Sequence, residues 1–158
     1  MPHLRDEDRK AIQDRFAETL NDDVRMLLFT ESNVRSMLTI PGRPETGGAG
    51  DFGKLTRELL IELADTSPKL SLEVLDVHGE GAGEARRLQI EQVPAVVLDA
   101  SDGRVRFYGA PVGNEFPTIL AGIESLSNAE PLLRDGVAAA VRDRIDQDVH
   151  LRVFVTPT

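Results

Sequence analysis

Residues Val24 to Thr30 read Val-Arg-Met-Leu-Leu-Phe-Thr, a dense apolar run of strand length. Successive side chains of a strand point to opposite faces, so a run that is apolar at nearly every position suits a sheet covered on both sides. The segments on either side have the periodicity needed to cover it. Leu4 to Leu20 places Ala11, Ile12, Phe16 and Leu20 at helical spacing among charged residues, and Asn21-Asp22-Asp23 ends the pattern. Lys54 to Ala64 does the same through Leu55, Leu59, Leu60 and Leu63, and Ser67-Pro68 closes it.

The rest of the chain extends this plan. Leu70 to Val77 alternates as a strand, His78 to Gly83 reads as a turn, and Glu84 to Gln89 as a short helix. Pro94 to Leu98 is a further strand whose first residue is proline, a position that needs no ladder donor. Ser101-Asp102-Gly103 marks a hairpin turn into Arg104 to Tyr108, with Phe107 and Tyr108 read as packing of the hairpin. Glu115 to Leu126 is helical through Phe116, Ile119, Leu120 and Ile123. A βαβ unit followed by a hairpin and a covering helix is an α/β sandwich. Between the first strand and the second helix, Glu31 to Gly53 carries Pro41, Pro44, Gly47, Gly48, Gly50 and Gly53, which predicts a long loop.

Composition narrows the function. Asp+Glu 27 against Lys+Arg 18 gives a net charge of −9, which repels a phosphate backbone, so no nucleic acid is expected as a partner. The apolar stretches fall far below the roughly 20 residues that span a bilayer, so no membrane association is expected, and a cytoplasmic location is the default. The chain has no cysteine, which excludes disulfides, thiolate metal sites and thiol nucleophiles from its own residues. His3, His78 and His150 form no spaced ligand set, and no metal or cofactor is expected.

The tail echoes the beginning. Val137, Val141 and Ile145, then Asp148-Val149 and Leu151, match Ile12, Phe16 and Leu20, then Asp23-Val24 and Met26, at one constant offset. This divides the chain into a main unit, 1–128, and the first helix and strand of an incomplete second unit, 129–158.

The stretches Lys69-Leu-Ser-Leu-Glu-Val-Leu-Asp76, Val93-Pro-Ala-Val96, Arg106-Phe-Tyr-Gly-Ala-Pro-Val-Gly-Asn-Glu-Phe116, and Ile145-Asp-Gln-Asp-Val149 with Val153-Phe-Val-Thr-Pro-Thr158 resemble the glutaredoxin-like protein disulfide oxidoreductases. They also resemble, more weakly, the N-terminal region of the flavoprotein component of alkyl hydroperoxide reductase. The resemblance implies a thioredoxin-like fold, in tandem copies, preceded here by an extra helix. In active units a Cys-x-x-Cys lies between the first strand and the next helix, where the helix N-terminus lowers the thiol pKa. In this chain those four places are held by Gly50-Asp51-Phe52-Gly53, and neither Gly50 nor Gly53 can be a nucleophile. The resemblance further implies that Pro94 is a cis-proline facing those positions, with Val93 presenting backbone to an extended peptide.

Three functional expectations follow. The first is a redox-inactive thioredoxin-like module, either peptide-docking through Val93 and Pro94 or structural. The second is the N-terminal half of a thiol–disulfide oxidoreductase whose Cys or selenocysteine motif would follow Thr158; the next codons of the source gene separate it from the first. The third is nucleotide binding through the Gly-rich segment Gly48 to Lys54, which fits Gly-x-Gly-x-x-Gly and most of a phosphate loop, although Leu55 stands where a metal-binding hydroxyl belongs. Partners are therefore a protein or peptide, or a second thioredoxin-like unit. The apolar terminal segment Val153 to Val155 is a candidate for edge pairing. Self-association at micromolar concentration is expected in sedimentation velocity, and a monodisperse monomer would count against it.

Overall fold

The computed structural model describes residues 3–31, 49–98, 103–128, 134, 136–147 and 149. In chain order the elements are α1 (Asp6–Thr19), β1 (Val24–Thr30), α2 (Ala49–Ala64), β2 (Leu70–Asp76), α3 (Ala82–Arg87), β3 (Ala95–Val97), β4 (Arg106–Tyr108), a 3₁₀ turn at Gly113–Glu115, α4 (Phe116–Ser127) and α5 (Val137–Arg144). The sheet order is β2-β1-β3-β4. β1 pairs in parallel with β2, from Val24 opposite Leu70 to Thr30 opposite Asp76. On its other edge it runs antiparallel to β3, with Leu28 opposite Val96, and β3 pairs antiparallel with β4.

The apolar run of β1 is explained by what lies on each side. Val24, Met26 and Leu28 join Ile12 and Phe16 of α1, Leu59, Leu60 and Leu63 of α2, and Ile119 and Ile123 of α4 in one buried cluster. Leu27 and Phe29 face the other way, into a second cluster with Leu75, Ala85, Leu88, Ala95 and Val97. Each fully buried side chain of this size contributes roughly 1.5–3 kcal/mol relative to exposure. The result is the expected α/β sandwich: three helices on one face and the short α3 on the other.

α3 sits tightly on the sheet because Gly81 has no side chain. A Cβ there would lie 2.7 Å from the Asp76 carbonyl oxygen and 2.7 Å from Leu75 Cβ. The Gly81 N–H instead donates to that carbonyl at 2.9 Å, closing the turn from β2 into α3.

α1 is tied in at both ends. Near its start, Glu62 on α2 accepts the backbone N–H groups of His3 (2.8 Å) and Leu4 (2.9 Å) and Nη2 of Arg9 (3.3 Å). Towards its end, Arg15 donates through Nε and Nη2 to the two carboxylate oxygens of Glu124 on α4, each at 2.5 Å, and Thr19 Oγ1 donates to the same carboxylate at 3.0 Å. Beyond the helix, Lys69 Nζ donates to the Leu20 and Asn21 carbonyls at 2.6 and 2.9 Å.

One boundary differs from the sequence expectation. α2 starts at Ala49, so residues 49–53, read as the end of the loop, are helical. Glycine costs only about 1 kcal/mol in a helix interior, less than the burial of Leu59, Leu60 and Leu63 provides to the helix as a whole. The rest of the expected loop, 32–48, the hairpin turn residues 101 and 102, and the expected strand 151–155 lie outside the described residues. Among the described residues no helix is long and apolar enough to cross a membrane.

The Arg15 hydrogen bonds hold the buried Glu124 carboxyl below its ordinary range, against the opposing effect of burial, with Thr19 adding to the depression. A depressed folded pKa means stabilisation that is fully present above the unfolded glutamate value of about 4.3 and lost as pH falls through the folded one. Glu124→Gln is therefore expected to lower stability by about 1–2 kcal/mol at pH 7, since Arg15 is half-exposed and screened. Urea unfolding of both proteins should show this gap closing as the pH is lowered below about 4.3; a gap independent of pH would refute the assignment.

Candidate functional site

The Val93–Pro94 peptide bond is cis, as the resemblance implies. It lies just before β3, whose pairing with β1 begins at Ala95 opposite Phe29. Pro94 is buried, and its carbonyl accepts the N–H of Gly109 at 2.9 Å, which pins the proline loop to the end of β4. Gly109 can make this turn because it adopts φ +98°, in the region that disfavours side chains.

The four positions 50–53 fall in the opening of α2, and Phe52 turns towards the proline. Phe52, Val93, Pro94, Tyr108 and Gly109 line one cavity of about 330 Å³. Its two aromatics are open to solvent, Phe52 at 49% and Tyr108 at 42% exposure. A Cβ added at Gly109 would meet nothing within 4 Å. Gln92 and Val93 also form part of the wall of a second, larger cavity of about 760 Å³ on the α3 side. That cavity is mixed: Glu31, His78, Arg86, Gln89 and Glu91 line it together with Val77, Ala85 and Ile90, and His78 Nε2 lies 3.1 Å from Glu31 Oε1.

The described side chains around the proline cavity are Phe52, Gln92, Val93, Pro94, Tyr108 and Ala110. The chain has no cysteine, and the opening of α2 brings Phe52 to the cavity that Pro94 lines. Among the described residues no group of three or more His, Asp or Glu side chains is placed to hold a metal. Of the glycine motif, Gly50 and Gly53 are inside α2, and Gly48 lies outside the described residues. The neighbouring Thr56 hydroxyl is buried and donates to the Phe52 carbonyl at 2.7 Å, and Lys54 lies 3.8 Å from Glu58.

Of the residues singled out in the sequence, Phe52, Val93 and Pro94 line one cavity, and the two aromatics read as hairpin packing part company. Phe107 does pack against the main core, whereas Tyr108 is exposed at the proline cavity. The period of two along β4 separates these neighbours onto opposite faces, and that alternation was the available signal. Gln92, Glu31 and Glu91 gave none, being ordinary polar residues in turns.

No protein-family model matches the chain. It is 23% identical over 146 residues to the F component of the alkyl hydroperoxide reductase of Staphylococcus aureus, an alignment covering 88% of this chain and 25% of that protein. The chain thus spans about a quarter of the length of the curated relatives it matches. Among solved structures it is similar to a protein disulfide oxidoreductase from Aeropyrum pernix, with a TM-score of 0.68 and 22% identity over 90% of this chain and 56% of that one. The NTD_N/C domain of the alkyl hydroperoxide reductase AhpF from Enterococcus faecalis gives 0.65 and 20% identity, over 87% and 59%. The fold is thioredoxin-like.

Substituting Gly109 tests how far the site depends on its backbone. Gly109→Ala has room for the methyl group but not the dihedral, and should cost about 1–2 kcal/mol. Chemical denaturation gives the loss directly; an unchanged midpoint would mean that the turn tolerates another geometry.

Proposed function

We propose that this chain is a redox-inactive thioredoxin-like module that docks an extended peptide along its Val93–Pro94 edge without exchanging disulfides. The supporting observation is the pairing of a cis-proline loop with Phe52 and Tyr108, two exposed aromatics, in a chain that has no sulfur nucleophile. Extended peptides bind sheet edges through main-chain hydrogen bonds, with side-chain pockets adding selectivity. Val93 stands immediately outside the β1–β3 ladder, at the position where such pairing can begin. Exposed aromatics beside a polar rim favour a protein contact, because they bury a large area at low entropic cost.

A second reading rests on α5. Val137, Val141 and Ile145 are spaced on one helical stripe and are 40%, 43% and 46% exposed, whereas the matching Ile12, Phe16 and Leu20 of the α1 region are buried. An amphipathic stripe of this kind calls for a cover. In this reading the chain is the silent structural half of a longer oxidoreductase, and a further thioredoxin-like unit covers α5.

Two measurements test the docking role. Insulin reduction by dithiothreitol should proceed at the same rate with and without the protein. In NMR titrations with cysteine-free peptides, amide shifts should concentrate at Phe52, Gln92, Val93, Tyr108 and Gly109 and be unaffected by reductant. Shifts confined to the α5 stripe, or none at all, would defeat the docking reading.

A further inference from the structure

The two cavities that share Gln92 and Val93 differ in character, and the difference points to what lies between them. One is walled by the rings of Phe52 and Tyr108 together with Pro94. The other carries the carboxylates of Glu31 and Glu91, with Glu31 Oε1 3.1 Å from His78 Nε2, and, among its described lining residues, a single guanidinium, that of Arg86, whose Nε donates to the Ala82 carbonyl at 3.1 Å. Consecutive side chains of an extended strand point to opposite sides. A peptide lying along the shared wall therefore sends neighbouring residues into unlike surroundings. The net charge of −9 adds a long-range field that attracts cationic segments and repels acidic ones.

We infer that the docked peptide is cationic and extended, with a bulky apolar side chain between Phe52 and Tyr108 and an adjacent basic side chain on the Glu31 and Glu91 side. This rests on the docking reading above and adds the chemistry of the occupant. The aromatic pair takes the place of covalent capture: an apolar side chain is held by ring contact alone, so the peptide needs no cysteine. The acidic wall discriminates by charge. A basic residue finds the Glu91 carboxylate and shares Glu31 with His78, on a wall that sets two carboxylates against one guanidinium, whereas an acidic residue meets that excess of negative charge and is disfavoured.

The test uses the full chain and short fluorescent peptides in a Gly/Ser background. One contains a central Trp-Arg pair, and its counterparts carry Ser-Arg, Trp-Glu or the two scrambled apart. Anisotropy titrations should give binding at least about tenfold weaker for each counterpart, and the Trp-Arg affinity should fall with added salt. Phe52→Ser and, independently, Tyr108→Ser should erase the preference for Trp over Ser, and Glu91→Lys should erase or reverse the preference for Arg over Glu. Both aromatics are exposed, so the variants should keep the wild-type circular dichroism spectrum. If all the peptides bind alike while still shifting the amides of Gln92 and Val93, the inference about chemistry is wrong and the docking site stands. If none binds, both are wrong.

Discussion

β1 has to be covered on both faces, and the remaining elements are arranged around that requirement. Met26, Leu27, Leu28 and Phe29 are buried in succession, two towards the layer of α1, α2 and α4 and two towards α3. A strand of this kind is stable only at the centre of a sheet, and here it is flanked by β2 in parallel and β3 antiparallel. The parallel pairing requires a crossover, which α2 supplies. The antiparallel pairing sets the position of β3, and through it the place where Pro94 enters the sheet.

The layer containing α1 depends on polar ties as well as on apolar burial. Ile12, Phe16 and Leu20 face the core, while charged residues of the same helix are matched to specific partners on its neighbours. Glu62 satisfies backbone donors ahead of the helix, Glu124 accepts both nitrogens of the Arg15 fork, and Ser127 Oγ accepts the Asp22 N–H at 3.0 Å and donates to the Asp22 carbonyl at 2.6 Å. Buried carboxylates are tolerated when several donors converge on them, and Glu124 has three among the described residues. These contacts fix α4 against α1 independently of the proline loop, which is held by its own bond to Gly109.

The site shows what a thioredoxin-like framework retains when no thiol is present. Its geometry comes from the backbone: the cis peptide bond, the Gly109 turn and the opening of α2. Phe52, Tyr108 and Pro94 line one cavity there, and the carboxylates of Glu31 and Glu91 lie on the wall of the next. A binding role needs only those features, since complementarity to an extended chain does not require a reaction.

Local pattern alone determined much of this protein. The burial of Val24 and of Met26 to Phe29, the helical stripes through Phe16, Leu60 and Ile123, the hairpin of β3 and β4, and the impossibility of thiol chemistry follow from residue types and spacing, because each reflects a local apolar pattern or the absence of an element. The proline and the 50–53 segment were legible too, through the resemblance their surroundings carry. Tertiary structure decided what those residues face. That α2 begins at Ala49, that Phe52 and Tyr108 meet across Pro94, and that Glu31 and Glu91 share a cavity wall with Val93 depend on contacts between segments far apart in the chain. No local pattern encodes such contacts, because the free energy that fixes them belongs to the packed sandwich as a whole.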